Sequence, residues 1–582
     1  MCNPLLIYAN IKIFEINTPN TPIKNIAKNF ISFSTDGISL ADFDLDSHIS
    51  QKIIPEIVKK EFNILFIKDN LSDNYLELYG ITLAYHIRLS AELEDKRFVP
   101  IVIISDVDGY ILNKLTPMAN ILFTKNTFVA RNEIASHDYF EKVFEQIKSK
   151  PLNADNFQKE FLDLIHIDPP QDYLSHHDIT NEWSIYRWAE FLKVDTDATK
   201  ANKAKIENML YFKYLKALYP ITDYYIENDN EADLLIVQQQ VKSSSLKIVK
   251  KVKKSIHKVL YIDDEWGKGW KDIFEKYFSK SQNIKFHFID HQYKDTTYDA
   301  IEALVRDSLT SESIDTILLD MRLTKEDHEQ KDVKEFSGIK LLNFIKSFNP
   351  GIQVILLTAS EKSSILDEAN KYNILGYIKK ENPSDDSSYT KEVFKKLAIL
   401  INLGFERKYL KNIWNIQKEV LQLKILENDQ YSEIKIEIES VFEILKTSME
   451  NKFIYAMLAL FKTIEIIIGL YIEEKKENNK RFAYWKNTNI KLKFVDKDEY
   501  FPKELPLDSQ PQKYNDSTIN KIRVLCYERL DLTSKDFHDN LAVLVNFRNE
   551  TVHPPIGRVS QKPSKINIQE WFKMIQMILN KI

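Results

Sequence analysis

Between residues 259 and 402, short apolar runs alternate with stretches of helical period. The runs are VLYID, KFHFID, TILLD, QVILL and GYIKK, and GIKLLNFIKSF is one of the amphipathic segments between them. An apolar run without polar alternation belongs to a strand buried on both faces, so five such units predict a doubly wound parallel sheet. Residues 62–129 carry a similar rhythm in NILFIKDNL, GITLAYHIRLS, VPIVIIS and NILFTKNTFV, which predicts a second α/β unit within residues 1–150. Residues 151–250 read as a helical connector; in SHHDITNEWSIYRWAEFL, Ile179, Trp183, Tyr186 and Phe191 recur at helical spacing and define an apolar face. After Leu403 the strand rhythm stops and long helical patterns follow, including 406–426, 432–450, 453–472, 517–552 and 567–582. The expected order is therefore an α/β domain at 1–150, a helical connector at 151–250, an α/β domain at 251–402 and an all-α bundle at 403–582.

Composition narrows the function classes. With 80 Lys and Arg against 85 Asp and Glu, the net charge of −5 gives no global positive field for holding nucleic acid, so any such contact must be local. Two cysteines, Cys2 and Cys526, exclude a disulfide framework and a cysteine-based zinc site and fit a reducing, cytoplasmic compartment. Only 11 glycines occur, and neither GxGxxG nor GxxxxGK[ST] is present, which argues against a nucleotide-driven machine. The amino terminus shows no secretory leader pattern. The apolar stretch Phe453 to Ile472 has Lys462 and Glu465 at mid-span and reads as a buried bundle helix, so no membrane partner is expected.

Ligands of a parallel sheet gather at the carboxyl ends of its strands. Here those ends carry Asp263 and Asp264, then Asp320, Thr358 and Lys380. Three converging carboxylates repel one another and call for a hard divalent cation with oxygen ligands, Mg²⁺ being typical. One carboxylate can then attack phosphorus, a hydroxyl can bind the transferred oxygens, and an ammonium can neutralise the added charge. VLYIDDE, TILLDMRL, VILLTAS and GYIKKE together resemble the response-regulator receiver family over about 140 residues, implying a flavodoxin-like fold. That resemblance implies Asp320 as phosphoacceptor, Asp263, Asp264 and Asp320 around Mg²⁺, Thr358 as the switch hydroxyl and Lys380 as the phosphate-binding lysine. The sequence departs from the family in a charged loop, TKEDHEQKDVKEF, and in Glu381, which follows Lys380 where the family usually has proline.

The amino-terminal unit looks like a degenerate receiver. No acidic pair follows a first strand, Lys68-Asp69 blurs the phosphoacceptor position, and Ser105 and Lys125 read as inherited or structural. In the connector, His177-Asp178-x-x-Asn181 superficially resembles the phosphotransfer helix of histidine kinases, against the alternative of a capped helix packed between domains. The basic stretch LKIVKKVKKSIHK at 246–258 reads as a solvated linker face.

Near the carboxyl end, LAVLVNFRNETVHPP stops a helix before Pro554, putting His553 at its end and Arg548 about one and a half turns earlier. Arg548, Asn549 and His553 resemble the motif of the HEPN superfamily of helical domains. Arginine in so lysine-rich a chain suits phosphate, and the resemblance implies a ribonuclease needing no cofactor in this domain. RNA scission needs a base, an acid and a cation on the phosphate, so two copies of the motif in a symmetric homodimer are implied. The alternative pairs Arg548 with Glu550 and leaves His553 as a helix cap.

Joined, these readings predict a phosphorylation-controlled effector whose partners are a cognate histidine kinase or phosphotransfer protein, an RNA substrate and a second copy of the chain. A non-catalytic signalling adaptor, whose helical domain binds a protein, and a relay through His177 stay open.

Overall fold

The computed structural model describes residues 4–9, 29–33, 44–71, 77–130, 151–170, 176–219, 256–291, 296–359, 363–386, 388–477, 480–492, 494–495, 502–503, 517–553 and 562–582. Two five-stranded parallel sheets dominate. The first comprises β1 (Pro4–Ala9), β2 (Asn29–Phe33), β3 (Ile64–Lys68), β4 (Ile101–Ile104) and β5 (Thr127–Ala130) in the order β2-β1-β3-β4-β5. The second comprises β6 (His257–Ile262), β7 (Ile284–Phe288), β8 (Thr316–Asp320), β9 (Gln353–Thr358) and β10 (Gly376–Lys379) in the order β10-β9-β8-β6-β7. Counted along the chain, both orders are 2-1-3-4-5, so one doubly wound topology is used twice. The amino-terminal unit is thus more complete than the half-receiver rhythm at 62–129 suggests, because β1 and β2 supply its first strands. The segment NILFTKNTFV is not a single strand: a 3-10 stretch, Pro117–Phe123, precedes β5.

The central strands of the second sheet, β6, β8 and β9, are buried on both faces because helices cover each side, whereas the edge strands β7 and β10 are only partly buried. One face packs Leu260, Ile262, Ile317 and Leu319 against α7 (Tyr298–Glu312), α8 (Ser337–Phe348) and α9 (Ser363–Asn370). The other packs Val259, Tyr261, Leu318, Ile355 and Leu357 against α6 (Trp270–Ser279) and α10 (Tyr389–Arg407). In the first unit, α1 (Tyr79–Leu89) lies in the core and α2 (Gly109–Leu115) follows β4. Gly338 at the start of α8 touches the Asp320 carbonyl so closely that a Cβ would lie 2.5 Å from it, a position only glycine fills.

Three helices follow the first unit: α3 (His176–Leu192), α4 (Asp197–Asn208) and α5 (Leu210–Leu218). Helix α3 is apolar on two sides. Ile179, Trp183 and Tyr186 join the amino-terminal core, whereas Ile185, Trp188, Ala189 and Leu192 join the core of the second sheet, with Phe191 packed against it. The single apolar face expected for Ile179, Trp183, Tyr186 and Phe191 therefore divides between two cores. Trp188 is wholly buried, 5.0 Å from the Trp270 ring and 5.3 Å from that of Phe394. Most of the basic stretch at 246–258 lies outside the described residues.

The carboxyl-terminal region is built from α11 (Tyr409–Leu421), α12 (Ser432–Lys446), α13 (Lys452–Tyr471), α14 (Ser517–Val524), α15 (Lys535–Val552) and α16 (Lys565–Lys581) around one apolar core. It is not purely helical, contrary to the all-α expectation. Strand β11 (Ile472–Glu477) continues directly from α13 and pairs antiparallel with β12 (Lys480–Trp485). Charge hid the hairpin: IEEKKE has one buried apolar residue, Ile472, and its pairing is satisfied by the backbone ladder. Among the described residues, α13 is the one helix long and apolar enough to cross a membrane, and half of it is buried inside the structure.

Helix α10 leads directly into α11, which is fixed to the amino ends of the second sheet. Lys411 Nζ bonds Asp315 Oδ1 at 2.7 Å and the Ser313 and Ile314 carbonyls, while Lys408 Nζ lies 2.8 Å from Asp315 Oδ2. Burial alone would raise the Asp315 pKa, but these two ammonium groups hold it below its usual value. Beside this cluster, His257 Nε2 pairs with Thr316 Oγ1 at 2.9 Å, and burial pulls the imidazole down to about 4 from 6.5. Between those pH values the unfolded chain binds a proton that the folded chain refuses. This contribution is complete above about pH 6.5 and is lost as the pH falls towards 4, by up to about 3 kcal/mol. Urea midpoints measured from pH 4 to 7 should therefore fall less steeply with acid in His257→Gln than in the parent chain.

Candidate functional site

The carboxyl edge of the second sheet gathers the residues expected there. Asp263 follows β6, Asp320 ends β8, Thr358 ends β9 and Lys380 follows β10. Parallel strand register fixes their level, with Asp320 opposite Leu357 and Lys379 opposite Thr358. Lys380 Nζ lies 3.0 Å from Asp263 Oδ2 and 2.8 Å from Asp320 Oδ1, with all three side chains buried. The Lys380 N–H donates to the Thr358 carbonyl at 2.7 Å, which ties the lysine to the β9 hydroxyl position. Asp263 Oδ1 accepts from the Glu265 N–H at 2.7 Å, and Asp320 Oδ2 accepts from the Arg322 N–H at 2.8 Å.

The electrostatics follow from burial. Desolvation pushes the Asp263 carboxyl up, Asp320 and Glu265 add to the rise, and Lys380 opposes it. Burial alone would strip the Lys380 proton; Asp263 and Asp320 reverse that and raise its pKa, so it stays an ammonium. The ring of Trp270 lies 5.0 Å from Nζ and adds a favourable π face. Asp264 is half-buried at the rim. Asp263, Asp264 and Asp320 have the oxygen chemistry a hard cation takes, but Asp263 and Asp320 are bridged by an ammonium. Among the described residues no three His, Cys, Asp or Glu side chains are grouped to hold a metal ion.

Several contributors escaped the sequence reading. The charged loop after β8 is folded rather than loose: Asp327 accepts from the Leu323, Thr324 and Ser337 N–H groups and caps the start of α8 beside Asp320. Glu381 is buried, with Oε1 2.8 Å from Arg187 Nε and Oε2 accepting from Thr390 Oγ1 at 2.6 Å. Burial raises its pKa and Arg187 opposes the rise. The departure at Glu381 was a legible signal, but its partner in α3 was not.

In the amino-terminal unit, Asp69 follows the central strand β3 and is buried. Its Oδ2 accepts from Ser105 Oγ at 2.5 Å, and Lys68 Nζ lies 3.3 Å from Oδ1. Lys125 precedes β5 and so stands at the opposite end of the sheet from Asp69, because the chain enters β5 there. The residues following β5 lie outside the described set.

The carboxyl-terminal trio stands at the end of α15. Arg548 is half-buried, its Nη1 donates to Asn549 Oδ1 at 3.1 Å, and its guanidinium carbon lies 5.0 Å from the Phe461 ring centre. His553 is exposed at the helix C-cap, where its N–H donates to the Asn549 carbonyl at 2.8 Å. Arg548 is thus held by Asn549 rather than shown against Glu550.

Replacing Lys380 by methionine should leave two carboxylates buried without their shared cation, at a cost on the order of 3–5 kcal/mol. Chemical denaturation should show a larger loss at pH 8 than at pH 5, and Asp263→Asn added to Lys380→Met should recover part of it. Equal stability of Lys380→Met and parent at pH 8 contradicts this charge balance.

No curated protein matches the chain. Residues 17–130 match the family described as Inactive Receiver domain, so the amino-terminal α/β unit is similar to that family, and receiver-type signalling is the class of function the match suggests.

Proposed function

We propose that the second α/β unit is a phosphate-accepting receiver with Asp320 as the acceptor. The observation that carries this reading is the buried Lys380 ammonium, held between Asp263 and Asp320 at the sheet edge where Thr358 also ends its strand. An Asp320 carboxylate oxygen attacks the phosphorus of a donor, the donor's own bond to phosphorus breaks, and an acyl phosphate forms. The Thr358 hydroxyl and the Lys380 ammonium hold the transferred oxygens, and Asp263, Asp264 and Asp320 would hold Mg²⁺ only once Lys380 no longer bridges Asp263 to Asp320. When bound, the cation supplies neutralisation of the crowded negative charge. A histidine kinase or phosphotransfer protein is the proposed donor. Asp320→Asn should abolish labelling by a small phosphodonor such as acetyl phosphate while the denaturation midpoint stays near that of the parent; retained labelling on the variant defeats the assignment.

The output we propose is RNA cleavage by the carboxyl-terminal domain in a homodimer, as a HEPN-type ribonuclease. Support comes from a half-buried arginine anchored on Asn549 and Phe461, with an exposed His553 one helix end away. The ribose 2′-oxygen attacks the adjacent phosphorus and the 5′-oxygen leaves, giving a cyclic phosphate and a 5′-hydroxyl end. Arg548 faces the phosphate charge, Asn549 positions Arg548, and His553 exchanges the proton. One chain supplies one such histidine, so two copies about a two-fold axis supply the acid and the base. Total RNA incubated with the purified chain plus chelator should be cut, and Arg548→Ala or His553→Ala should lower the rate at least about 100-fold without changing the elution volume. Undiminished cleavage by the double variant rejects the site.

A further inference from the structure

The proposed acceptor is shut away. Asp320 and Lys380 are 0% exposed, Asp263 1% and Thr358 3%. Phosphoryl transfer needs the donor phosphorus in line with a carboxylate oxygen, so something at the sheet edge must move before Asp320 can react.

Helix α3 packs beside α6 and α10 and grips two of the loops at that edge. On the loop after β10, Ser184 Oγ donates to the Glu381 carbonyl at 2.9 Å, Arg187 Nε pairs with Glu381 Oε1 at 2.8 Å, and Thr180 Oγ1 bonds the Asn382 side chain. On the loop after β6, Lys268 Nζ links Glu265 Oε1 at 2.8 Å to Glu182 Oε1 at 3.5 Å. His177 stands one turn before these residues, held by Asn181 at 3.2 Å from its Nδ1. Its charged neighbours come from three separate rim loops: Glu265 after β6, Arg322 after β8 and Lys380 after β10.

The opposite side of α3 is committed to another core. Ile179, Trp183 and Tyr186 pack with the amino-terminal sheet and with Ile206, Leu210 and Phe212 of the following helices. The first turns of α3 therefore cannot leave the pocket unless their packing against the amino-terminal unit also yields.

We propose that α3 is a lid on the phosphoacceptor pocket, latched by Thr180, Ser184 and Arg187 and held shut by the amino-terminal receiver-like unit, so that this unit gates access to Asp320. The inference rests on Asp320 being the acceptor and assigns the amino-terminal unit its role. A protein or ligand that loosens the amino-terminal core around Trp183 opens the pocket, and intact packing keeps it closed.

Two measurements on the full chain test the lid. Without phosphodonor, hydrogen–deuterium exchange over residues 379–385 should quicken in Thr180→Ala and Ser184→Ala, because each removes a bond from α3 to this loop, whose Lys380 and Asn382 amides are protected by Thr358 and Asp385. With acetyl phosphate and Mg²⁺, both variants should label faster than the parent, by up to ~10-fold for the loss of one latching hydrogen bond, with Asp320→Asn as the blank. Unchanged exchange in both variants overturns the lid whatever the labelling shows. Faster exchange with no labelling of any protein leaves the lid standing and defeats the acceptor assignment instead. An acid-labile label on His177 overturns the lid as well, since α3 would then be a carrier and not a cover.

Discussion

A single buried ammonium organises the carboxyl end of the second sheet. Parallel strands deliver their carboxyl ends to one edge, and there the chain has placed acids on β6 and β8 that burial makes costly. Lys380 makes that edge tenable by lying within hydrogen-bond distance of both Asp263 and Asp320. Everything that must reach the edge has to contend with this pairing. A phosphoryl group on Asp320 would draw on the same ammonium, so the charge balance that stabilises this edge is the one that the proposed phosphorylation would disturb.

Two sets of contacts connect this edge and its strand to the rest of the molecule. One runs through the loop after β10, where Glu381 exchanges charge with Arg187 of α3 and so meets a helix whose other side belongs to the amino-terminal core. The second runs along β8 to its opposite end, where Asp315 holds Lys408 and Lys411 at the entrance to the carboxyl-terminal helices. Asp320 ends the five-residue strand Thr316–Asp320 and Asp315 immediately precedes it, so the strand spans the distance between the proposed input and the proposed output.

Much of the second unit was legible because its signals are local. Runs such as TILLD and QVILL can only be doubly buried strands, and their terminal residues fall at the edge by topology alone. The amino-terminal unit was harder: β1 and β2 lie apart from the rhythmic segment, and its aspartate, Asp69, is bonded to Ser105 and paired with its own neighbour Lys68. The β11–β12 hairpin was missed because its residues are mostly charged and backbone pairing carries it. Lys125, read as inherited or structural, stands two residues before β5 begins at Thr127.

The amino-acid sequence by itself determined which residues could do chemistry and at which strand ends they would stand, because strand burial and parallel register depend on patterns a few residues long. It also determined that His553 would end a helix, since Pro554 closes it. Only the tertiary structure decided that Lys380 bridges two carboxylates, that Glu381 meets Arg187 from 194 positions away, and that α3 serves two cores at once. Those are contacts between segments far apart in the chain, and the energy that selects them, desolvation of charge and of apolar surface, is defined only after the segments have met.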